Sequence, residues 1–343
     1  MPDAETTVVG GADTHADTLH LAAVDEHCRP LADLAAPANP DGHAKALEFF
    51  TRLGRLAKVG VEGTGCYGAG LAAFLRAAGV QVVEVDRPDR AARRRAGKSD
   101  PLDAYAAACA AATGRAATVP KTHDGPVEAI RALRVARSSA IKARTQTINQ
   151  IKSLIVTAPA PSREQLRGLT AAALINACAR LRPRGDTADP TNATKTALRS
   201  LARRHKQLTT EISDLDTTLA PLLTTAAPDL LALPGIGPDV AGQLLVTAGD
   251  NPHRLRSEAA FAHLCAAAPI PASSGRRDRH RLNRGGDRQA NRALHIIALS
   301  RMRHDKRTRQ YVTRRTQQGL SKKDIIRCLK RYIAREIYQT LTN

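Results

Sequence analysis

Aromatic side chains are scarce in this chain: they make up 3% of its 343 residues, and tryptophan is absent. Binding a nucleic acid by stacking bases on an aromatic platform is therefore poorly served, which leaves charge and shape as the available modes of contact. Cysteine is sparse as well. The six, at positions 28, 66, 109, 178, 265 and 328, form no CxxC or Cys/His pattern, so a zinc framework is not indicated and buried free thiols are the expectation. No stretch approaches about 18 uninterrupted apolar residues, and the N-terminus opens acidic rather than basic and then apolar. A membrane span and a secretory leader are both disfavoured, and a reducing, cytoplasmic setting is expected. Acidic residues are the minority charge: 32 Asp and Glu face 52 Lys and Arg, for a net charge of +20 and a pI near 10.4. That balance fits a polyanionic partner. The excess is gathered at Arg87 to Lys98, Arg276 to Arg292 and Arg301 to Arg335, as a binding face requires and a merely solvated surface does not.

At this length more than one hydrophobic core is expected. TTVVGGA at 6–12, LHLAAV at 19–24 and the stretch after Arg29 read as three short strands. A helix around Ala44 to Leu53, KVGVE at 58–62, a helix from Gly68 to Ala78 and QVVEVD at 81–86 follow. The order βββαβαβ, with a further helix containing DAYAAACAAA from Asp103, matches a ribonuclease-H-like mixed sheet better than a doubly wound nucleotide fold. No Gly-rich phosphate loop opens its first helix.

Val127 to Ile155 reads as one long basic helix. A second helix carries Leu198, Leu201, His205, Leu208, Ile212, Leu215 and Leu219 at alternating steps of three and four, which predicts a coiled-coil seam. His205 on that seam fits a register-setting residue better than a ligand. Between them, Ala158 to Asp189 holds several prolines and a helical stretch near Leu174, and is expected to be a hinge or irregular connection. From Asp229 a helical region opens with LPGIGPD, which resembles a helix-hairpin-helix turn whose amides could approach a phosphate; a plain helix–helix turn is the alternative. The predicted division is 1–120, 121–226 and 227–343.

The acids that carry chemistry lie in the first part. Asp13 follows directly on the first strand, and Glu62 closes KVGVE ahead of the glycines of GTGCYG. Asp100 and Asp103, in KSDPLDA, are three apart at a helix start and share one face. In a ribonuclease-H-like sheet the first and fourth strands are neighbours, so the four carboxylates can converge beneath that helix. Asp17, Asp25 and Glu84 fit this geometry less well. Singly, each of the four has an ordinary role as a turn cap, an ion-pair partner or an N-terminal helix acid. Together they repel one another until a divalent cation with oxygen ligands neutralises them. Magnesium is the expected occupant, and two ions about 4 Å apart would clamp the attacking and leaving oxygens of a phosphodiester.

GADTHADT around Asp13, VEGTGCYG around Glu62, KSDPLDA around Asp100 and Asp103, LPGIGP at 233–238, and AAAPIPASSG ahead of GGDRQANRAL together resemble the DEDD-type transposases of insertion-sequence family 110, relatives of the invertase Piv. The resemblance spans nearly the whole chain. It implies a RuvC-like nuclease domain, a helical coiled-coil region and a C-terminal transposase domain. It maps the four family acids onto Asp13, Glu62, Asp100 and Asp103. It further implies a serine before a glycine that attacks DNA and becomes phosphoserine; Ser274 before Gly275 matches, with Ser273 as its neighbouring alternative. Arg276, Arg277 and Arg279 would then hold phosphate, and Arg284, Arg288 and Arg292 extend the basic surface. The implied partners are donor and target DNA, a structured guide (bridge) RNA and further copies of the chain in a dimer or tetramer. The implied setting is the prokaryotic nucleoid. A junction-resolving nuclease without serine chemistry and a non-catalytic basic packaging protein are the rival readings.

Overall fold

A computed structural model describes residues 6–85, 99–276 and 280–342. The basic cluster at 87–98 and the predicted phosphate contacts Arg277 and Arg279 lie outside the described residues. Contacts divide the chain into two compact units. The first comprises residues 1–124 with 248–257, and the second residues 125–247 with 258–341.

The first unit is built on a five-stranded sheet in the order β3-β2-β1-β4-β5: β1 (Thr7–Thr14), β2 (Thr18–Val24), β3 (Pro30–Pro37), β4 (Arg55–Glu62) and β5 (Val82–Val85). β1 to β3 form an antiparallel meander, and β4 and β5 continue parallel to β1. Two helices follow their strands, α1 (Pro40–Arg52) and α2 (Ala69–Ala77), and α3 (Asp100–Ala112) comes after β5. This is the ribonuclease-H-like arrangement that the order of strands and helices predicts. Asn39 caps α1 by accepting from the Gly42 amide, with Pro40 at the start of the helix where its missing N–H costs nothing.

β1 is buried on both faces, as a central strand must be. Val8 and Ala12 pack with Phe50, Leu71 and Leu75 of α1 and α2. Val9 packs on the other face with Val83, Val85 and the alanines Ala107, Ala108 and Ala111 of α3. Alternation therefore puts Gly11 and Asp13 on the α3 face as well. A β-carbon at Gly11 would stand 2.2 Å from the Ala104 carbonyl oxygen, and one at Gly60 would stand 2.7 Å from that of Ala107. Glycine at these two positions lets α3 lie directly on the sheet. The helix's first turn, which holds Asp100 and Asp103, is thereby brought to the ends of β1 and β4. Gly11→Ala should cost about 1–3 kcal/mol, as overpacked cores do, and a fall in the urea midpoint at unchanged m-value measures it.

Residues 248–257 return to this unit after more than a hundred residues spent in the other. The buried Asn251 side chain donates to the Pro120 carbonyl at 3.0 Å and accepts from the Thr122 amide at 3.3 Å. Arg254 donates to the Val119 and Ala248 carbonyls, and Arg256 donates to that of Ala117.

The second unit centres on two long helices, α4 (Pro126–Thr157) and α7 (Pro190–Ala226). The predicted seam of α7 packs within the chain against α4: Leu198, Ile212 and Leu219 are buried, and Leu201, His205, Leu208 and Leu215 are half-buried. Between the long helices, where a hinge or irregular connection was expected, lie α5 (Ala160–Leu166) and α6 (Ala171–Arg180). Their Leu166, Leu174, Ile175 and Cys178 form one core with Ile151, Ile155 and Leu198. Proline does not prevent α5 because it stands in the first turn, where the amide it lacks has no helical partner. After α8 (Pro228–Ala232), LPGIGPD turns into α9 (Pro238–Ala248), with Gly235 in the left-handed region at φ +78°. Asp239, on the first turn of α9, accepts from Arg134 and Arg137 of α4, and Arg137 also pairs with Asp216 of α7. The remainder comprises α10 (Glu258–Leu264), a short hairpin of β6 (Ile270–Pro271) and β7 (His280–Arg281), and three helices: α11 (Arg288–His304), α12 (Lys306–Gln317) and α13 (Lys322–Thr342).

Candidate metal centre and serine loop

Ala12 lies opposite Val61 in the parallel pairing of β1 and β4, so Asp13 and Glu62 stand one residue further along, side by side on the α3 face. The Thr14 hydroxyl donates to the Glu62 carbonyl at 2.9 Å and ties the two strand ends together. Asp100 and Asp103 occupy the first turn of α3, where the helix dipole favours carboxylates. Asp13 and Asp103 are 6% and 4% exposed, so two charges are held out of bulk water. Asp100 is exposed and Glu62 half-buried. Glu84 emerges on the opposite face of the sheet, where it accepts from the Thr64 hydroxyl at 2.9 Å.

The ligating atoms of Asp13, Asp100 and His15 lie within 4.8 Å of one another, the one such group of three or more among the described residues. His15 Nε2 is 3.3 Å from Asp13 Oδ2 and 3.5 Å from Asp100 Oδ1. Sequence reasoning missed this histidine. Its signal was present in GADTHADT: two residues beyond Asp13 on a chain leaving a strand, a side chain returns to the same side. Burial holds the Asp13 pKa above its ordinary value of 3.8. His15 opposes that shift, and the charges of Asp103 and Asp100 reinforce it. Asp13 Oδ2 is buried without a hydrogen-bond partner. A buried carboxylate oxygen with no hydrogen bond, facing an imidazole and further carboxylates, is a hard oxygen donor, and the residues present therefore fit a divalent ion.

Ser274 belongs to the second unit. It is exposed in the loop joining β6 to β7, and Gly275 after it adopts φ +55°. Ser273 and Arg276 beside it are exposed too. Past β7, Gly286 packs so tightly on the end of α10 that a β-carbon would stand 2.5 Å from the Ala266 nitrogen. Asp287 caps α11 by accepting from the Gln289 and Ala290 amides, and also accepts from the Thr247 hydroxyl at 2.8 Å. Asn291 donates to the Cys265 and Ala266 carbonyls. In GGDRQANRAL, Gly286, Asp287 and Asn291 thus hold the end of α11 in place. Arg284, Arg288 and Arg292 point to solvent and form no ion pair with any described residue. Arg288 and Arg292 are four apart on one helix face.

Comparison with known families bears on both units. A family model for the DEDD transposases of IS110 matches residues 10–158, and one described as the transposase IS116/IS110/IS902 family matches residues 227–313. The chain belongs to the IS110 family of transposases. No curated protein matches it. The IS110-family match makes the protein an enzyme of DNA strand transfer with DNA as its substrate, and its DEDD nuclease-type domain implies dependence on a divalent metal. The strand ends and helix turn described above fall inside the first match, and the serine loop falls inside the second. Among the described residues no helix is long and apolar enough to cross a membrane.

Proposed function

We propose that this transposase cuts and rejoins DNA with Asp13, Glu62, Asp100 and Asp103 as the ligands of Mg²⁺ and Ser274 as the nucleophile. The observation that carries the reading is a buried Asp13 oxygen without a hydrogen-bond partner, with Asp100 of the first α3 turn in ligating reach and the charge of Asp103 acting on the same carboxyl. A divalent cation bound there supplies positive charge where a phosphodiester gathers negative charge. The protein's own part is to hold the carboxylates preoriented. β1 and β4 fix two of them, and the closely seated α3 fixes the other two.

In the serine loop, exposure lets Oγ reach a DNA phosphorus, and Arg276 stands two residues on, where it can hold a non-bridging oxygen. Attack forms an Oγ–P bond as one bridging P–O bond of the DNA breaks. The proton that Oγ loses balances the one the leaving oxygen takes up. The phosphoserine conserves the bond's energy, so a DNA hydroxyl can later displace the serine without ATP. On this reading residues 1–120 cut, 121–226 mediate assembly and 227–343 carry the nucleophile. The acids of one subunit then act with the serine of another in a dimer or tetramer. Solvent-facing Arg284, Arg288 and Arg292, in a chain poor in aromatics, suit contact with DNA and with the backbone of a structured guide RNA.

Two measurements test this. Chelation of divalent ions should abolish strand cleavage and leave filter binding of DNA in place, and added Mg²⁺ should restore cutting; cleavage that persists in excess chelator rejects the metal role. Binding should also weaken steeply with salt. In Arg288→Ala and Arg292→Ala the log–log slope should become shallower by about one each, as expected when one phosphate contact is lost. An unchanged slope removes these two arginines from the interface.

A further inference from the structure

We propose that His15 is a nitrogen ligand of the ion held by Asp13 and Asp100, which makes the centre a mixed nitrogen–oxygen site that binds Mn²⁺ more tightly than Mg²⁺. The inference rests on the acidic-site reading above and adds a donor of different chemistry to it. The backbone presents His15 firmly: it begins the tight turn between β1 and β2, and its amide donates to the Thr18 carbonyl at 2.9 Å. Its Nε2 stands 3.3 Å from one carboxylate and 3.5 Å from the other. A charge-assisted hydrogen bond would close to about 2.7–2.9 Å. Neighbouring donors around a small octahedral ion with bonds near 2.1 Å are instead separated by about 3 Å. The carboxylate oxygen facing the imidazole, Oδ2 of Asp13, is the buried one without a hydrogen-bond partner. His15 is itself half-exposed, so an ion can reach the group from solvent.

The imidazole changes what the site prefers. Carboxylate and water ligands suit Mg²⁺ and Mn²⁺ alike, whereas a ring nitrogen favours the transition ion, and Mg²⁺ occupancy in the cell follows from abundance rather than affinity. The test uses the full-length protein with Mn²⁺ alone. Pulsed electron paramagnetic resonance should show coupling of the bound Mn²⁺ to one histidine nitrogen, shifted on ¹⁵N-histidine labelling and lost in His15→Ala and in His15→Gln. By calorimetry the Mn²⁺ dissociation constant should rise roughly tenfold or more in either variant, with a smaller change for Mg²⁺ measured by competition. Circular dichroism checks that both variants fold. Mn²⁺ bound at the wild-type site without nitrogen coupling would overturn this proposal and leave the acidic site standing. Mn²⁺ binding that is absent, or indifferent to Asp13→Asn, would overturn the acidic-site reading and this proposal with it.

Discussion

Ser274→Ala should eliminate the covalent protein–DNA adduct and strand joining together, with joining reduced by at least about 10⁴-fold, the scale on which hydrolases lose activity with their serine. A hydroxyl is a weak nucleophile at neutral pH and depends on its surroundings for activation. A sulfhydryl is not, so Ser274→Cys should keep a trace of adduct where alanine keeps none. Ser273→Ala should lose little, because the residue lies one position further from Gly275, whose left-handed backbone sets the turn at Ser274. The reaction is stopped in denaturant, and the attached nucleotide is located by mass spectrometry of the digested protein. DNA found on Ser273 reassigns the nucleophile. Metal-dependent cutting with no adduct at either serine favours a hydrolytic nuclease that uses the acidic site alone.

Asp13→Asn should have two opposite effects. Strand cleavage should fall by more than about 10²-fold, since disturbing even the outer partners of a metal site commonly costs 10–100-fold. Without divalent ions, however, the variant should melt at a higher temperature than the wild type at neutral pH. Burial raises the Asp13 pKa, so the folded state holds a proton that the unfolded chain releases more readily. The carboxylate's contribution to stability is therefore greatest at acid pH and declines as pH rises from its ordinary value of 3.8 through the raised one. Asparagine keeps the shape without the charge and should flatten that decline. Thermal melts from pH 3 to pH 8 in chelator measure the difference. A variant less stable than wild type at every pH would show that the Asp13 charge already has adequate partners in the metal-free protein.

The strand order was legible because each strand of the sheet leaves a local trace: the apolar run, the turn residues and the spacing to the next helix. Asp13 and Glu62 stood out for the same reason, as acids at the end of such runs. The approach of α3 was encoded less openly. Gly11 and Gly60 look like ordinary strand glycines until the helix is seen to rest on them. His15 was less legible because it stands beyond the strand, at the start of the turn that follows the acid. The heptads of α7 gave a seam without naming its partner, and that partner is α4 of the same chain, 33 residues upstream of Pro190 when counted from Thr157. Pairing partners are set by long-range packing, which a local repeat does not record. The prolines of 158–189 misled in the opposite sense: a proline at a helix start and one that breaks a helix look alike until neighbouring apolar residues show what they bury.

The return of residues 248–257 to the first unit has a consequence for biosynthesis. As the chain leaves the ribosome, Pro120 and its neighbours are made long before Asn251, Arg254 and Arg256, which satisfy their carbonyls. At roughly 5–20 residues per second, the interval is on the order of 10 s. Until then the nuclease half lacks its closing segment, so a nascent chain cannot present a finished cutting domain before most of the transposase has been translated.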